Sequence, residues 1–226
     1  MIVMTHADRL PAAIAVLVSG GLDSAILLGD MVRERETVNP LYIRFGLYWE
    51  AEELRHLRRF LETIRGPALL PLQVLEMPVR DLYGDHWSVI GRNVPDADSP
   101  DAAVCLPGRN VLFLSKAMLW CHLHGVPAMA LASLASNPFP DATPAFFEAC
   151  QDVVNTAIGG KVRVLRPFAG LRKADVMRRG RDLPLELTFS CIRPVNATHC
   201  GACNKCAERR RAFAEAGIMD RTEYSG

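Results

Sequence analysis

The 226-residue sequence lacks the features that mark membrane proteins, polyanion-binding proteins and secreted proteins. Its most apolar stretches, 12–18 and 111–135, are ended or interrupted by Gly, Pro and charged residues, and a membrane span needs about 20 apolar residues. Basic and acidic residues number 26 and 25, so no overall field draws the molecule to nucleic acid. The N-terminus shows no signal-peptide pattern, so we expect an unprocessed cytoplasmic protein.

Two common nucleotide-binding motifs are also missing. Neither G-x-x-x-x-G-K-[ST] nor G-x-G-x-x-G occurs, which excludes a Walker-type loop and the dinucleotide fingerprint. There is no internal repeat and no low-complexity tract. Any nucleotide site must therefore use a different loop.

Cysteine is sparse in the body of the chain and clustered near its end. Three isolated cysteines are expected to be small core residues: Cys105, Cys121 and Cys150. Four more fall within 16 residues: Cys191, Cys200, Cys203 and Cys206. Clustered thiols in a reducing compartment indicate a metal site, and four soft ligands suit structural Zn²⁺. A [4Fe–4S] cluster is the alternative, although the ferredoxin C-x₃-C-P continuation is absent. His199, beside a predicted ligand, is expected to face solvent.

Short apolar segments alternate with amphipathic segments along the chain. Strands are predicted at 13–18, 39–44, 69–75, 128–133 and 161–165. Helices are predicted at 23–35, 50–65, 109–124, 144–157, 171–180 and 206–216. This order predicts an α/β fold, a Rossmann-like doubly wound parallel sheet of about five strands. We expect a nucleotide-binding domain at 1–188 and a small C-terminal metal-binding segment with a helix at 189–226. The long segment 78–107 is predicted to be irregular.

The strongest motif lies between the first strand and the first helix. It reads Ser19-Gly20-Gly21-Leu22-Asp23-Ser24. A helix N-terminus offers unpaired N–H groups and partial positive charge to an anion, and glycines let the backbone approach a phosphate. The serine hydroxyls can donate further hydrogen bonds, and Asp23 can either cap the helix or hold Mg²⁺. S-G-G-x-D-S resembles the signature of PP-loop ATP pyrophosphatases, which adenylate an oxygen of their substrate.

Two later segments are predicted to join the same ATP site. Gly108-Arg109-Asn110 opens a helix and offers a guanidinium to a phosphate or carboxylate. Lys173 lies in the first turn of a later helix, where a cation opposes the helix dipole, so we expect it to serve a ligand. We therefore assign catalytic roles to Asp23, Arg109 and Lys173, which stabilise charge and position the reactants.

The motifs together resemble the 7-cyano-7-deazaguanine synthase family of PP-loop enzymes. The resemblance runs from about 13 to 217 and includes the loop at 19–24, Leu106-Pro107-Gly108-Arg109-Asn110, 184–191 and the cysteine tail. It implies an ATP-dependent ligase that converts 7-carboxy-7-deazaguanine and ammonia to the nitrile precursor of queuosine or archaeosine. It also implies Mg²⁺ with ATP and structural zinc on the four tail cysteines.

The segment expected to shape the base pocket departs from the family pattern. Here residues 135–144 read Ala-Ser-Asn-Pro-Phe-Pro-Asp-Ala-Thr-Pro, with Ala142 and Thr143 where the family has Cys and Arg. Asn137 and Asp141 remain as predicted substrate-binding residues. A further departure is Leu22, where members commonly have Gln.

Three alternatives stay open at this point. The enzyme could adenylate a different carboxylate or amide, or it could be a PP-loop enzyme that inserts sulfur into tRNA and carries an iron–sulfur cluster. A nucleotide-sensing domain without catalysis ranks last. The cluster Arg209-Arg210-Arg211 favours RNA, although on a terminal helix we expect it to be a solvated face. We expect no nucleic acid or membrane partner, and a homodimer is kept open.

Overall fold

A five-stranded parallel sheet forms the centre of the protein, whose computed structural model describes residues 11–226. The strands are Ala13–Leu17 (β1), Thr37–Arg44 (β2), Gln73–Glu76 (β3), Ala128–Ala130 (β4) and Arg163–Leu165 (β5). Their order is β3-β2-β1-β4-β5, and each neighbouring pair is parallel. The predicted sheet is thus confirmed. Residues 1–10, on which the prediction of an unprocessed N-terminus rests, lie outside the described part.

Helices cover both faces of the sheet. Within the described residues they are Leu22–Glu34 (α1), Glu50–Thr63 (α2), Arg80–Tyr83 (α3), Trp87–Ile90 (α4), Arg109–Leu123 (α5), Pro144–Ile158 (α6), Lys173–Arg179 (α7) and Asn204–Ala216 (α8). None of these described helices is both long and apolar enough to cross a membrane.

The two faces bury separate hydrophobic cores because side chains alternate along each strand. In β1, Ile14 and Val16 join the core formed with α1, α2, α7 and α8. Ala15 and Leu17 point the other way and join the core formed with α5 and α6. Such doubly covered strands read as continuous apolar runs, which is the pattern that predicted β1.

The strand order places the functional crevice. β1 lies between β2 and β4. The connection that follows β1 runs to β2 on one side of it, and the connection that follows β4 runs in the other direction, to β5. In open α/β sheets, ligands bind at the carboxyl ends of the strands around such a switch point. The residues that follow β1 and β4 therefore flank the expected site.

Several predicted bounds were wrong. The strand predicted at 69–75 begins at Gln73, and Leu69 contributes only an isolated bridge to Val38. Pro71 lacks the N–H group that a continuous ladder requires. The last helix begins at Asn204 instead of Cys206, so the fourth predicted metal ligand lies within its first turn. The segment 78–107 is not wholly irregular, since it contains α3, α4 and a 3-10 turn at Asp101–Val104.

Candidate active site

A cavity of about 300 Å³ opens at the carboxyl end of the sheet. Most of the residues predicted to bind ATP and substrate line it: Ser19, Gly21, Leu22, Asp23, Ser24, Arg109, Asn110, Asn137, Asp141 and Lys173. Gly20 and Gly108 are not on its wall, but both adopt positive φ, at 74° and 73°, in the turns that shape it. The fold thus brings together segments that are far apart in the sequence.

The nucleotide loop (residues 19–24) is held in one conformation by its own hydroxyls. Ser24 Oγ accepts from the Ser19 backbone N–H at 3.1 Å and lies 3.2 Å from Ser19 Oγ. Gly20 lies so close to α2 that a Cβ there would meet Glu53 Cγ at 3.1 Å. The helix cap is Gly21, with no side-chain cap hydrogen bond. Of the two roles open to Asp23, the structure does not show the helix cap, and its carboxylate contacts Lys173.

Asp23 forms an ion pair with Lys173 on the cavity wall. Lys173 Nζ donates to both carboxylate oxygens, at 2.8 and 2.7 Å. The same ammonium lies 3.7 Å from Glu208 Oε1, and Glu208 Oε2 accepts from Lys205 Nζ at 2.5 Å. Four charges of alternating sign thus connect the nucleotide loop with α7 and α8. Lys173 is the first residue of α7, and Asp23 and Glu208 compensate for its unfavourable position at a helix N-terminus.

Arg109 also lines the cavity, at the start of α5. Its guanidinium lies 4.7 Å from the centre of the Phe113 ring. The buried Nε of Arg109 has no hydrogen-bond partner in the described structure. A buried donor of this kind is costly unless a ligand satisfies it.

The predicted substrate-binding segment is fixed to the same helix end. The Asn110 backbone N–H donates to Asp141 Oδ2 at 3.0 Å, and Asn110 Nδ2 donates to the Asp141 carbonyl at 2.8 Å. Asn137 Oδ1 accepts from the Phe139 N–H at 3.1 Å, which leaves its amide nitrogen uninvolved in that turn. Asn137 and Asp141 both face the cavity, together with Phe139.

Two glutamates of α2 line the cavity and were not predicted. Tyr42 Oη donates to Glu53 Oε2 at 2.6 Å, and burial raises the pKa of Glu53 to about 8 against the opposing effects of Tyr42 and Arg109. Glu50 accepts from the N–H groups of Phe45 and Gly46, and burial raises its pKa as well. Only their position directly after β2 could have signalled them, since α2 carries other glutamates that face solvent.

The four tail cysteines converge in a buried cluster that fits a tetrahedral metal. All four Sγ atoms lie within 4.8 Å of one another, with Cys191–Cys203 at 3.9 Å and Cys200–Cys206 at 4.0 Å. Zinc–sulfur bonds of about 2.3 Å give tetrahedral edges of about 3.8 Å. The backbone N–H groups of Arg193 and Cys200 donate to Cys191 Sγ at 3.3 Å, an arrangement that stabilises thiolate. The predicted metal-ligating set is thus assembled in the four-cysteine segment (residues 191–206).

The prediction that His199 faces solvent was wrong. His199 is 2% exposed, and its Nε2 accepts from the Ser190 backbone N–H at 3.1 Å. Its ring packs against Phe189 and Tyr224, with centroids 4.6 and 5.6 Å away. Phe189 in turn donates its N–H to the Gly20 carbonyl at 2.8 Å. The four-cysteine segment therefore contacts the nucleotide loop through a short, buried connection.

Arg209 was predicted to lie on a solvated face, and it is 1% exposed. Its guanidinium donates to Thr188 Oγ1 at 2.8 Å, to the Leu185 carbonyl at 2.7 Å and to Thr222 Oγ1 at 2.8 Å. It also contacts Ser190 Oγ at 3.2 Å on the cavity wall. Arg209 thereby fixes the extended connection 188–190, whereas its neighbours 210 and 211 are exposed as predicted.

A solved structure with a similar fold is the complex of a 4-thiouridine synthetase with RNA and bound ATP. It superposes with a TM-score of 0.53 at 15% identity and covers 91% of this chain and 50% of that chain. This similarity supports the fold assignment alone.

Curated relatives cover nearly the whole chain, and they carry the name 7-cyano-7-deazaguanine synthase. The protein of Acidobacterium capsulatum is 32% identical over 93% of this chain and 95% of its own. The protein of Methanothermobacter thermautotrophicus is 31% identical over 94% and 98%, respectively. The Mesorhizobium japonicum protein, named 7-cyano-7-deazaguanine synthase 1, is 32% identical over 92% of each chain.

The family model described as "Queuosine biosynthesis protein QueC" matches residues 13–217. That range includes the nucleotide loop, all the residues that line the cavity and the four-cysteine segment. The chain belongs to the QueC family.

Proposed function

We propose that this protein converts 7-carboxy-7-deazaguanine and ammonia into 7-cyano-7-deazaguanine in the cytoplasm, with consumption of ATP. The observation that carries the proposal is the cavity at the switch point, which the nucleotide loop, Lys173 and Arg109 all line. Membership of the QueC family supports the identity of the substrate and product. The relatives' shared name does not favour a different acceptor or sulfur insertion into tRNA.

ATP is proposed to bind with its phosphates at the nucleotide loop. The free N–H groups at the start of α1 and the hydroxyls of Ser19 and Ser24 would donate to phosphate oxygens. Asp23, whose carboxylate faces the cavity, would hold the Mg²⁺ that accompanies ATP and neutralises phosphate charge. Lys173, which pairs with Asp23 at 2.7 Å, would also contact the leaving pyrophosphate.

The acceptor is proposed to lie between Arg109 and the segment 137–141. The guanidinium of Arg109 would donate to the substrate carboxylate and orient it toward the α-phosphorus. Asn137 and Asp141 would contact the polar edge of the deazaguanine, with Phe139 beside the ring plane. A site built on such hydrogen bonds rejects analogues that leave its polar groups unpaired.

The reaction needs two adenylations in sequence. The substrate carboxylate attacks the α-phosphorus of ATP, pyrophosphate leaves, and ammonia displaces AMP from the acyl adenylate to give the amide. A second ATP adenylates the amide oxygen with release of pyrophosphate, and loss of AMP and two protons then forms the nitrile. No step requires a covalent bond to the protein, so its residues act by positioning and charge stabilisation.

The four-cysteine segment is proposed to hold one structural Zn²⁺. Four buried thiols at tetrahedral spacing leave no open coordination position for a substrate. We propose residues 189–226 as a metal-held extension of the nucleotide-binding domain 1–188, which they contact through Phe189 and Arg209.

Replacing Asp23 by Asn should lower the rate of ATP turnover at least about 100-fold, because the change removes the proposed metal-binding charge and the partner of Lys173. AMP formation is the measurement. The fold and metal content should be unchanged, since the side chain lies on the cavity wall. Asp182→Asn, an exposed aspartate outside the cavity, is the matched control and should retain full activity. Full turnover by Asp23→Asn would show that the carboxylate has no part in catalysis.

Incubation with 7-carboxy-7-deazaguanine, ammonium and MgATP should yield the amide first and the nitrile second, with two AMP per nitrile. Mass spectrometry of the base and chromatography of the nucleotides measure both. Because Arg109 is proposed to bind the carboxylate, Arg109→Met should raise the KM for the acid by about tenfold or more. ATP binding with no acid-dependent AMP release would contradict this choice of substrate.

The purified protein should be colourless and contain one zinc per chain by elemental analysis. Cys203→Ser should abolish zinc binding, because three thiolates leave the closed site incomplete. Cys150→Ser, outside the cluster, should bind zinc as the unaltered protein does. Stoichiometric iron with visible absorption would contradict the assignment and favour the iron–sulfur alternative.

A further inference from the structure

Lys205 and Glu208 of α8, like Arg209, line the ATP cavity although they belong to the four-cysteine end of the chain. Lys205 lies between the metal-ligating Cys203 and Cys206, and Glu208 follows one turn later. Both face the same cavity as the nucleotide loop. Neither was expected at the ATP site from the sequence.

The pair is unusual in its electrostatic setting. Lys205 lies in the first turn of α8, where the helix dipole disfavours a cation. Its ammonium contacts Glu208, whose other oxygen lies 3.7 Å from Lys173 Nζ. Glu208 is therefore shared by two lysines, one from α7 and one from α8. The two ammonium groups are thus bridged by one carboxylate.

Stability does not account for this arrangement. The side chains of Lys205 and Glu208 are 33% and 32% exposed. Ion pairs between side chains with this degree of exposure contribute little to the free energy of folding, and salt screens them. The nearby Arg209 differs from Lys205 in its hydrogen bonds, because each nitrogen of its guanidinium already donates to a protein oxygen.

We propose that Lys205 is a phosphate-binding residue of the ATP site and contacts the pyrophosphate portion of ATP together with Lys173. Glu208 takes the place of the phosphate charge between the two lysines before the nucleotide binds. The assignment rests on the ATP use of the proposed function. It adds to that site a cation carried by the four-cysteine segment.

The backbone around Lys205 is fixed firmly enough for such a role. The Cys206 N–H donates to the Cys203 carbonyl at 3.0 Å, and the Asn204 N–H donates to the Pro95 carbonyl at 3.0 Å. Asn204 Nδ2 also donates to the Ser99 carbonyl at 2.7 Å. The metal ligands and the segment 95–99 therefore hold the lysine in register with the cavity.

Calorimetric titration of the metal-loaded protein with pyrophosphate and, separately, with AMP tests the assignment. Lys205→Met should weaken pyrophosphate binding about 10- to 100-fold, the range for a lost hydrogen bond to a charged group. AMP, which lacks the β- and γ-phosphates, should bind within about twofold of the unaltered protein, because the change removes no contact to it. Lys205→Arg should restore most of the affinity, and Lys161→Met, which removes an exposed lysine outside the cavity, should change neither titration.

Glu208→Gln provides a second variant that leaves Lys205 and the thiols in place. It should tighten pyrophosphate binding several-fold, because the competing carboxylate is removed. Unchanged pyrophosphate affinity in Lys205→Met with full metal content would overturn the assignment, as would an equal loss of AMP affinity or no pyrophosphate binding by the unaltered protein. Failure of the proposed function gives a different result: pyrophosphate binds with this pattern while 7-carboxy-7-deazaguanine is not adenylated.

Discussion

The ion pair between Asp23 and Lys173 is the interaction on which the organisation of the site depends. Its atoms lie 2.7 Å apart, yet the two residues are separated by 150 positions in the sequence. The pair fixes the start of α7 against the nucleotide loop, and Glu208 extends the contact to α8. Each cation in this series lies in the first turn of a helix, where only a neighbouring anion makes it acceptable. A nucleotide polyphosphate is an anion of the right charge for that position.

A second, buried connection keeps the same elements in register. Arg209 binds the segment that contains Phe189, and Phe189 donates to the carbonyl of Gly20 in the nucleotide loop. His199 contributes by accepting from the Ser190 backbone N–H, and it directly precedes Cys200 in the sequence. Removal of one partner of a buried hydrogen bond lowers stability by more than the net contribution of that bond. The polar atom that remains has neither a protein partner nor water. The four-cysteine segment is thus part of the framework that holds the nucleotide loop.

Local features of the sequence predicted the parts of this architecture that are local in space. The nucleotide loop and the four cysteines were found because their chemistry depends on short spacing, and the sheet was found because strand and helix periodicities differ. Arg209 and His199 were placed in solvent, since nothing nearby in the sequence shows that Thr188, Ser190 or the C-terminal residues enclose them. Lys205 and Glu53 were missed for the same reason: their significance arises only when distant helices meet around the cavity.

The central claim is that the four-cysteine segment and the nucleotide loop together build one ATP site. The most direct measurement is the calorimetric affinity for ATP before and after the metal is removed by a chelator, under reducing conditions that keep the thiols from oxidising. The account predicts at least about tenfold weaker ATP binding in the metal-free protein, with binding restored when zinc is returned. An unchanged dissociation constant for ATP in metal-free protein that keeps its helical circular dichroism would contradict the account.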